Sequence, residues 1–219
     1  MVIGRRSLLV AGAAFPTAAY GQCVTDAPEA ASTNLLLQSG DFSSGTWSKG
    51  ATGTSSAPVV TGNNTTAPDG TTTASRIVYP LVSGAGSSSA VSQGVAVTAT
   101  VYTFSVWLRG AAGGERVYLQ MTPDAVTFRS APAILTISWQ RFIYTSPALT
   151  AVTWYPAIGT DLRDGAQTST SAQTIYAWGA QFELGSFATS YIPTTSAPVA
   201  RPVGATVMSP TLKCLQVTK

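Results

Sequence analysis

The chain contains no histidine, and this absence removes more chemistry than any single motif adds. Histidine is the commonest general base and metal ligand near neutral pH, so an ordinary Ser-His-Asp triad cannot form here. Charge is also scarce: Asp, Glu, Lys and Arg make up 10% of the 219 residues, against 45% apolar residues. A chain of this composition folds, but it must cover itself with Ser, Thr, Gly, Ala and Gln rather than with Lys and Glu. Such surfaces suit extracellular particles and repeated assemblies. The formal charge is +3, and Arg5 and Arg6 supply two of those charges; without them ten basic groups face nine acidic ones, or +1. Phosphate recognition needs clustered Lys and Arg, so nucleic acid is not an expected partner. The acidic residues show no recognisable catalytic pair. A glycosidase needs two carboxylates about 5 to 9 Å apart, and Asp161 and Asp164 instead flank Leu162-Arg163 in a turn ending at Gly165, which reads as a turn cap or a loop ion pair. No catalytic residue is assigned and an enzyme is not expected.

What is present begins with a separate element over residues 1–21. Arg5-Arg6 precede the apolar run Leu8 to Phe15, and Ala19-Tyr20-Gly21 places small residues at the two positions a signal peptidase reads, the pattern of a secretory leader cut before Gln22. Arg5-Arg6-Ser7-Leu8-Leu9 also resembles a twin-arginine export signal. The alternative is an apolar arm that docks on a neighbouring subunit. The run is too short to cross a bilayer, which takes roughly 20 residues, so no membrane span is expected. Residues 22–32 read as a polar linker.

From Thr33 the pattern is that of strands. Thr33 to Gln38 is the first strand-like run, and Gly50 to Thr73 is rich in Gly, Thr, Ser and Asn, with Pro68-Asp69-Gly70 as a turn, so it reads as loop with one short strand around Val59. Strand signals then follow at 75–79, 90–97, 101–109, 115–121, 133–137, 140–145, 151–158 and 173–184. These carry β-branched and aromatic residues and are separated by Gly, Pro, Asp or Ser clusters. No window sustains helical spacing, and no fixed-period repeat is present. About ten strands with long early loops predict an all-β fold: an antiparallel two-sheet β-sandwich of jelly-roll type, spanning 33–194. The tail, 195–219, has three prolines and no period and reads as an extended arm. Cys23 and Cys214 lie near opposite ends; first and last strands of a jelly roll are commonly neighbours, so the two are either a disulfide in an oxidising compartment or two free thiols.

Within the strands, Tyr102 to Arg109 alternates cleanly. Tyr102, Phe104, Val106 and Leu108 form a core face, while Thr103, Ser105, Trp107 and Arg109 form the other. A flat aromatic beside a hydrogen-bonding side chain is how a sugar-binding sheet is often built, the ring stacking on the apolar face of a pyranose. Trp107 and Arg109 are therefore carbohydrate-binding candidates, with Tyr118 and Gln120 in phase on the next strand and Arg141 and Tyr155 from further strands. The bland alternative is that Trp107 packs under a loop and Arg109 is a solvated edge charge. Phe142 and Tyr144 share a face and are predicted core, and Trp139 is placed at the sandwich edge.

The most informative string is Tyr176-Ala-Trp-Gly-Ala-Gln-Phe-Glu-Leu-Gly-Ser-Phe-Ala-Thr-Ser-Tyr-Ile-Pro-Thr194. Strict alternation puts Tyr176, Trp178, Ala180, Phe182 and Leu184 on the core face and Ile175, Ala177, Gly179, Gln181 and Glu183 on the other. Gly185 ends the run, and Phe187, Tyr191 and Ile192 fold back as apolar plugs before Pro193. This string resembles the closing strand of a jelly-roll domain found in many phage structural proteins. The opening Asn34-Leu-Leu, Phe42 and Trp47 resembles the start of those domains and of several carbohydrate-binding modules. The resemblance implies a phage-like virion protein, a head decoration, head spike or tail-fibre component, that meets other virion proteins, forms homo-oligomers of trimeric type and adheres to host polysaccharide. It implies no cofactor beyond one structural calcium, for which Asp41, Asp69 and Glu183 are the candidate ligands. The alternative is an exported bacterial carbohydrate-binding protein, secreted or periplasmic after loss of the leader.

Overall fold

The computed structural model describes residues 29–123, 129–163 and 169–204. The leader reading, Cys23, Cys214 and Asp164 lie outside the described residues. Two antiparallel sheets face each other as a jelly-roll sandwich, with no helix among the described residues. One sheet runs β10 (Arg129–Ile134), β9 (Arg116–Thr122), β12 (Thr153–Asp161), β6 (Ser88–Ser92) and β2 (Ser48–Thr52), with the short β7 (Val95–Ala96) also on β12. The other runs β11 (Gln140–Thr145), β8 (Tyr102–Gly110), β14 (Gln173–Leu184), β4 (Ala74–Tyr79) and β3 (Val59–Thr65). Two ribbons complete the fold: β1 (Ser32–Asn34) pairs with β15 (Val199–Arg201), and β5 (Val82–Ser83) with β13 (Ser169–Thr170).

Between the sheets lies one apolar core. Phe104, Val106 and Leu108 of β8 meet Val117, Leu119 and Met121 of β9 and Trp154 and Ile158 of β12, and Phe42 and Trp47 of the opening segment are fully enclosed with them. Burying each such side chain contributes about 1.5–3 kcal/mol. Phe142 and Tyr144 pack against this core as expected. The buried Tyr79 hydroxyl donates to the Ile158 carbonyl at 2.7 Å, tying β4 across the interior to β12.

Three expectations are corrected. Residues 48–52 form an edge strand that runs from just after Trp47 into the start of what reads as a Gly-rich loop; the sequence there has only small and polar residues, so no periodicity announces it. The tail is not wholly an arm, because Val199–Arg201 pairs with Ser32–Asn34. The third correction concerns β14. Ile175 and Ala177 point into the core, whereas Tyr176 and Trp178 point out of it; Ala180 and Phe182 point in again. Between the pairs Trp178–Trp107 and Gln181–Ser105, the two residues Gly179 and Ala180 oppose the single Val106, a β-bulge with Gly179 at φ +65°. One extra residue reverses every side chain beyond it, so a strict two-residue reading fails for the first half of the string; past the bulge Phe182 is core, but Leu184, expected there too, is 61% exposed. Phe187, expected as a plug, is 58% exposed, while Tyr191 and Ile192 do fold back.

Candidate functional site

The six carbohydrate-binding candidates divide between opposite faces of the sandwich. Trp107, Arg109 and Arg141 lie on the outer face of the β8–β14 sheet, and Tyr118, Gln120 and Tyr155 on the outer face of the β9–β12 sheet. Tyr118 and Gln120 are thus not beside Trp107: β9 follows β8 in sequence but crosses to the other sheet.

On the β8–β14 face the aromatic side chains pack on one another. Trp107 and Trp178 are register partners and form a second apolar cluster with Ala67, Ala74, Trp139 and Tyr191. Trp178 is 8% exposed, its ring 4.7 Å from that of Tyr191, and its Nε1 donates to Thr73 Oγ1 at 3.0 Å. Trp139 caps the edge as expected, donating Nε1 to the Thr66 carbonyl. Arg109 sits between the rings of Tyr176 at 4.4 Å and Trp139 at 5.4 Å, and donates Nη2 to Thr65 Oγ1. Arg141 donates Nη2 to Ser105 Oγ at 2.9 Å; burial lowers its pKa, opposed by the nearby Glu183 and Glu29 carboxylates. These cation–π and stacking contacts occupy the platform that the sequence offers.

Below this cluster Gln181 and Glu183 are fully buried under the returning chain. Glu183 accepts from Gln181 Nε2 at 2.7 Å, from the Thr189 N–H at 3.0 Å and hydroxyl at 2.7 Å, and from Ser32 Oγ. Gln181 Oε1 accepts from the Ile192 N–H at 2.7 Å. They face away from the core as expected, but their partners are each other, Ser32 of β1 and groups of the 189–192 loop rather than residues opposite them in the sheet. The calcium candidates do not converge: Asp41 Oδ1 caps Ser43, Asp69 Oδ1 caps Thr71, and Glu183 is bound as above. Among the described residues no group of three His, Cys, Asp or Glu could hold a metal ion. Near Asp41 the cation is Lys49, whose Nζ donates to the carbonyls of Ser43, Ser44 and Trp47 at 3.1, 2.6 and 2.8 Å. Burial lowers its pKa and Asp41 opposes the shift.

The β9–β12 face is open. Paired rows cross it: Gln120, Ala157, Ser92 and Ser48 in one, Tyr118, Gly159, Ala90 and Gly50 in the next, and Asp161, Ser88 and Thr52 beyond. Because the central positions are Gly, Ala and Ser, the backbone forms the floor of a groove of about 400 Å³. Tyr155 stands at one side, 40% exposed although its neighbours Trp154 and Pro156 are buried. At the other, the buried Asp161 carboxylate holds the polar groups. It accepts from Gln120 Nε2, from Arg163 Nε at 2.8 Å and Nη2 at 2.6 Å, and from the Arg163 N–H at 2.9 Å. The expected local ion pair and turn cap at Asp161 is therefore present. Tyr118 lies under the Arg116 guanidinium, 5.5 Å from its ring, and accepts from Arg116 Nη2, so it is no open platform.

No protein-family model and no curated protein sequence matches the chain. Among solved structures, TmCBM61 in complex with β-1,4-galactotriose is similar over 69% of this chain and 99% of its own, at 16% identity and a TM-score of 0.47. A family 11 carbohydrate-binding module of a Clostridium thermocellum cellulosomal cellulase is similar over 73% and 98%, at 8% identity and a TM-score of 0.47. The enzymatically active domain of tailspike protein 4 of bacteriophage CBA120 is similar over 69% of this chain but 21% of its own, at 11% identity and a TM-score of 0.48. Identities this low concern the chain path alone.

Of the six candidates named from sequence, Tyr155 and Gln120 line this groove; the floor residues Gly50, Ser88, Ala90, Ser92 and Ala157, and Arg163, were not among them. Small residues carry no chemical signature. The available signal was the Ser88, Ala90, Ser92 alternation around the core residue Val91.

Proposed function

We propose that this chain is a non-enzymatic glycan-binding sandwich of a phage-like virion, a head decoration, spike or tail-fibre component that adheres to host surface polysaccharide. The observation that carries the reading is the β9–β12 groove: an exposed Tyr155 ring beside a floor of Gly, Ala and Ser and a fixed Gln120–Asp161–Arg163 group. Sugar rings stack on such a Tyr, and their hydroxyls meet oriented amide and guanidinium groups. None of the described residues that line the groove carries a carboxylate, and the nearby Asp161 is ion-paired to Arg163 at 2.6 Å, so the carboxylate pair of glycoside hydrolysis has no counterpart there. The virion setting is supported by the resemblance of Tyr176 to Thr194 to phage closing strands and by a surface poor in charge. A homotrimer, displayed in many copies, would turn weak single-site contacts into firm adhesion through effective concentration.

The test is multivalent display on an array of bacterial surface glycans together with xylan, mixed-linkage β-glucan and galactan. Binding to at least one glycan is expected, with Tyr155→Ala lowering affinity about two- to tenfold, since an aromatic stack contributes about 0.5–1.5 kcal/mol. Absence of binding at high valency, or Tyr155→Ala binding like the parent, overturns the reading. The Arg5-Arg6 leader pattern favours a second reading, an exported bacterial carbohydrate-binding protein. An intact mass beginning at Gln22 would select it, and one retaining Met1 would exclude it.

A further inference from the structure

Gly94 lies between β6 and β7, in a segment where the Gln93 N–H donates to the Pro156 carbonyl at 3.2 Å. Its φ lies outside the left-handed region, it is exposed, and no tight turn requires it. Elementary conformational reasons for glycine are therefore missing. What a side chain would meet is the Tyr155 ring: a Cβ at position 94 would stand 2.9 Å from Tyr155 Cε1, 3.4 Å from Cδ1 and 3.3 Å from Thr153 Cγ2. The ring thus takes up the space that a side chain at position 94 would fill, and 40% of Tyr155 is left open to solvent beside the groove.

Two other glycines of this sheet, Gly50 and Gly159, behave differently. Gly50 has nothing within 4 Å of such a Cβ, and at Gly159 the obstacle is the Ser89 carbonyl at 2.6 Å, a backbone atom that cannot step aside. At Gly94 the obstacle is the far end of a side chain, which moves by rotation about its own bonds while the sheet stays in place.

Resting on the glycan-binding reading of the groove, we propose that Gly94 is the positioning residue for the Tyr155 platform, holding the ring at the angle at which a sugar stacks. Gly94→Ala forces the ring off its support without a change in ladder or core. Affinity for a stacked ligand then falls by about as much as on loss of the ring, roughly two- to tenfold.

The experiment measures affinity electrophoresis retardation by whichever array polysaccharide the parent chain binds best, with thermal unfolding of each variant in parallel. The variants are Gly94→Ala, Tyr155→Ala, their double mutant, and Gly45→Ala, where a Cβ would meet nothing within 4 Å. Expected are equal losses of about two- to tenfold for Gly94→Ala and for Tyr155→Ala, no further loss in the double mutant, parent-like binding for Gly45→Ala, and cooperative unfolding throughout. Parent-like binding by Gly94→Ala, additive losses in the double mutant, or Gly94→Ala failing to unfold cooperatively would each overturn the assignment, the last because the glycine would then serve the fold. Failure of the groove reading itself is distinguishable: Tyr155→Ala would then bind as the parent does, or nothing would bind at all.

Discussion

Replacing Glu183 tests whether the closing string is held by hydrogen-bond pattern or by charge. The carboxylate is fully buried and takes four donors, from Ser32, Gln181 and the backbone and hydroxyl of Thr189. Glu183→Ala leaves those donors without an acceptor and removes the anion beside Arg141, whose pKa burial already lowers. Breaking a buried polar or charged set by deleting one partner costs about 3–5 kcal/mol. For a chain of this size, at about 2–4 °C per kcal/mol, the melting temperature should fall by roughly 6–20 °C. Glu183→Gln should cost far less, about 1–2 kcal/mol. Its carbonyl oxygen can keep Gln181 and the Thr189 N–H, and its amide can donate to the two hydroxyls, which rotate to accept. Thermal and urea unfolding of both variants decide the matter. A Gln variant as damaged as the Ala variant would show that the charge, not the pattern, does the holding. Parent-like stability of both would refute the reasoning outright.

Two further outcomes follow from the same geometry. Burial pushes the Tyr191 hydroxyl, which shares a 2.7 Å hydrogen bond with Ser39 Oγ, up to about 12 from its ordinary 10.0. A folded pKa above the unfolded one means that stability is complete below about pH 10 and declines as pH climbs toward 12. Tyr191→Phe should flatten part of that decline in pH-dependent unfolding, leaving the share due to the buried Tyr79, and an unchanged slope would contradict it. A chelator should leave the melting temperature unchanged, because Asp41, Asp69 and Glu183 each bind groups of the chain itself and Lys49 already supplies the cation against the Ser43, Ser44 and Trp47 carbonyls. A melting temperature that drops in EDTA and recovers with calcium would revive the ion.

The sandwich was legible where apolar alternation is unbroken. Tyr102 to Leu108 declares its core face residue by residue, and the structure agrees. The same rule misassigned Tyr176 and Trp178, because a bulge at Gly179 is a backbone event whose only trace in sequence is a glycine inside a strand. The platform at Trp107 was legible as an aromatic next to a cation, but whether a loop covers it depends on how 65–74 and 189–192 fold back, a long-range matter. The groove was half-legible. Tyr155 announced itself as an aromatic in a strand, whereas the floor is defined by what Gly50, Ala90 and Ala157 do not carry.

The ribbon of β1 and β15 has a mechanical consequence. Ser32 pairs with Arg201 at the end where both chain ends leave, and Asn34 pairs with Val199 deeper in. A load applied between the two ends therefore pulls the strands apart across their hydrogen bonds, opening them one after another like a zipper rather than shearing them together. The Arg201–Glu29 ion pair at 2.7 Å lies outermost and meets the force before the ladder does. Opening the ribbon would also part Ser32 from Glu183 and Asn34 from the Ala180 and Ile192 carbonyls, so tension on the chain ends would be felt by the buried hydrogen bonds of the closing string.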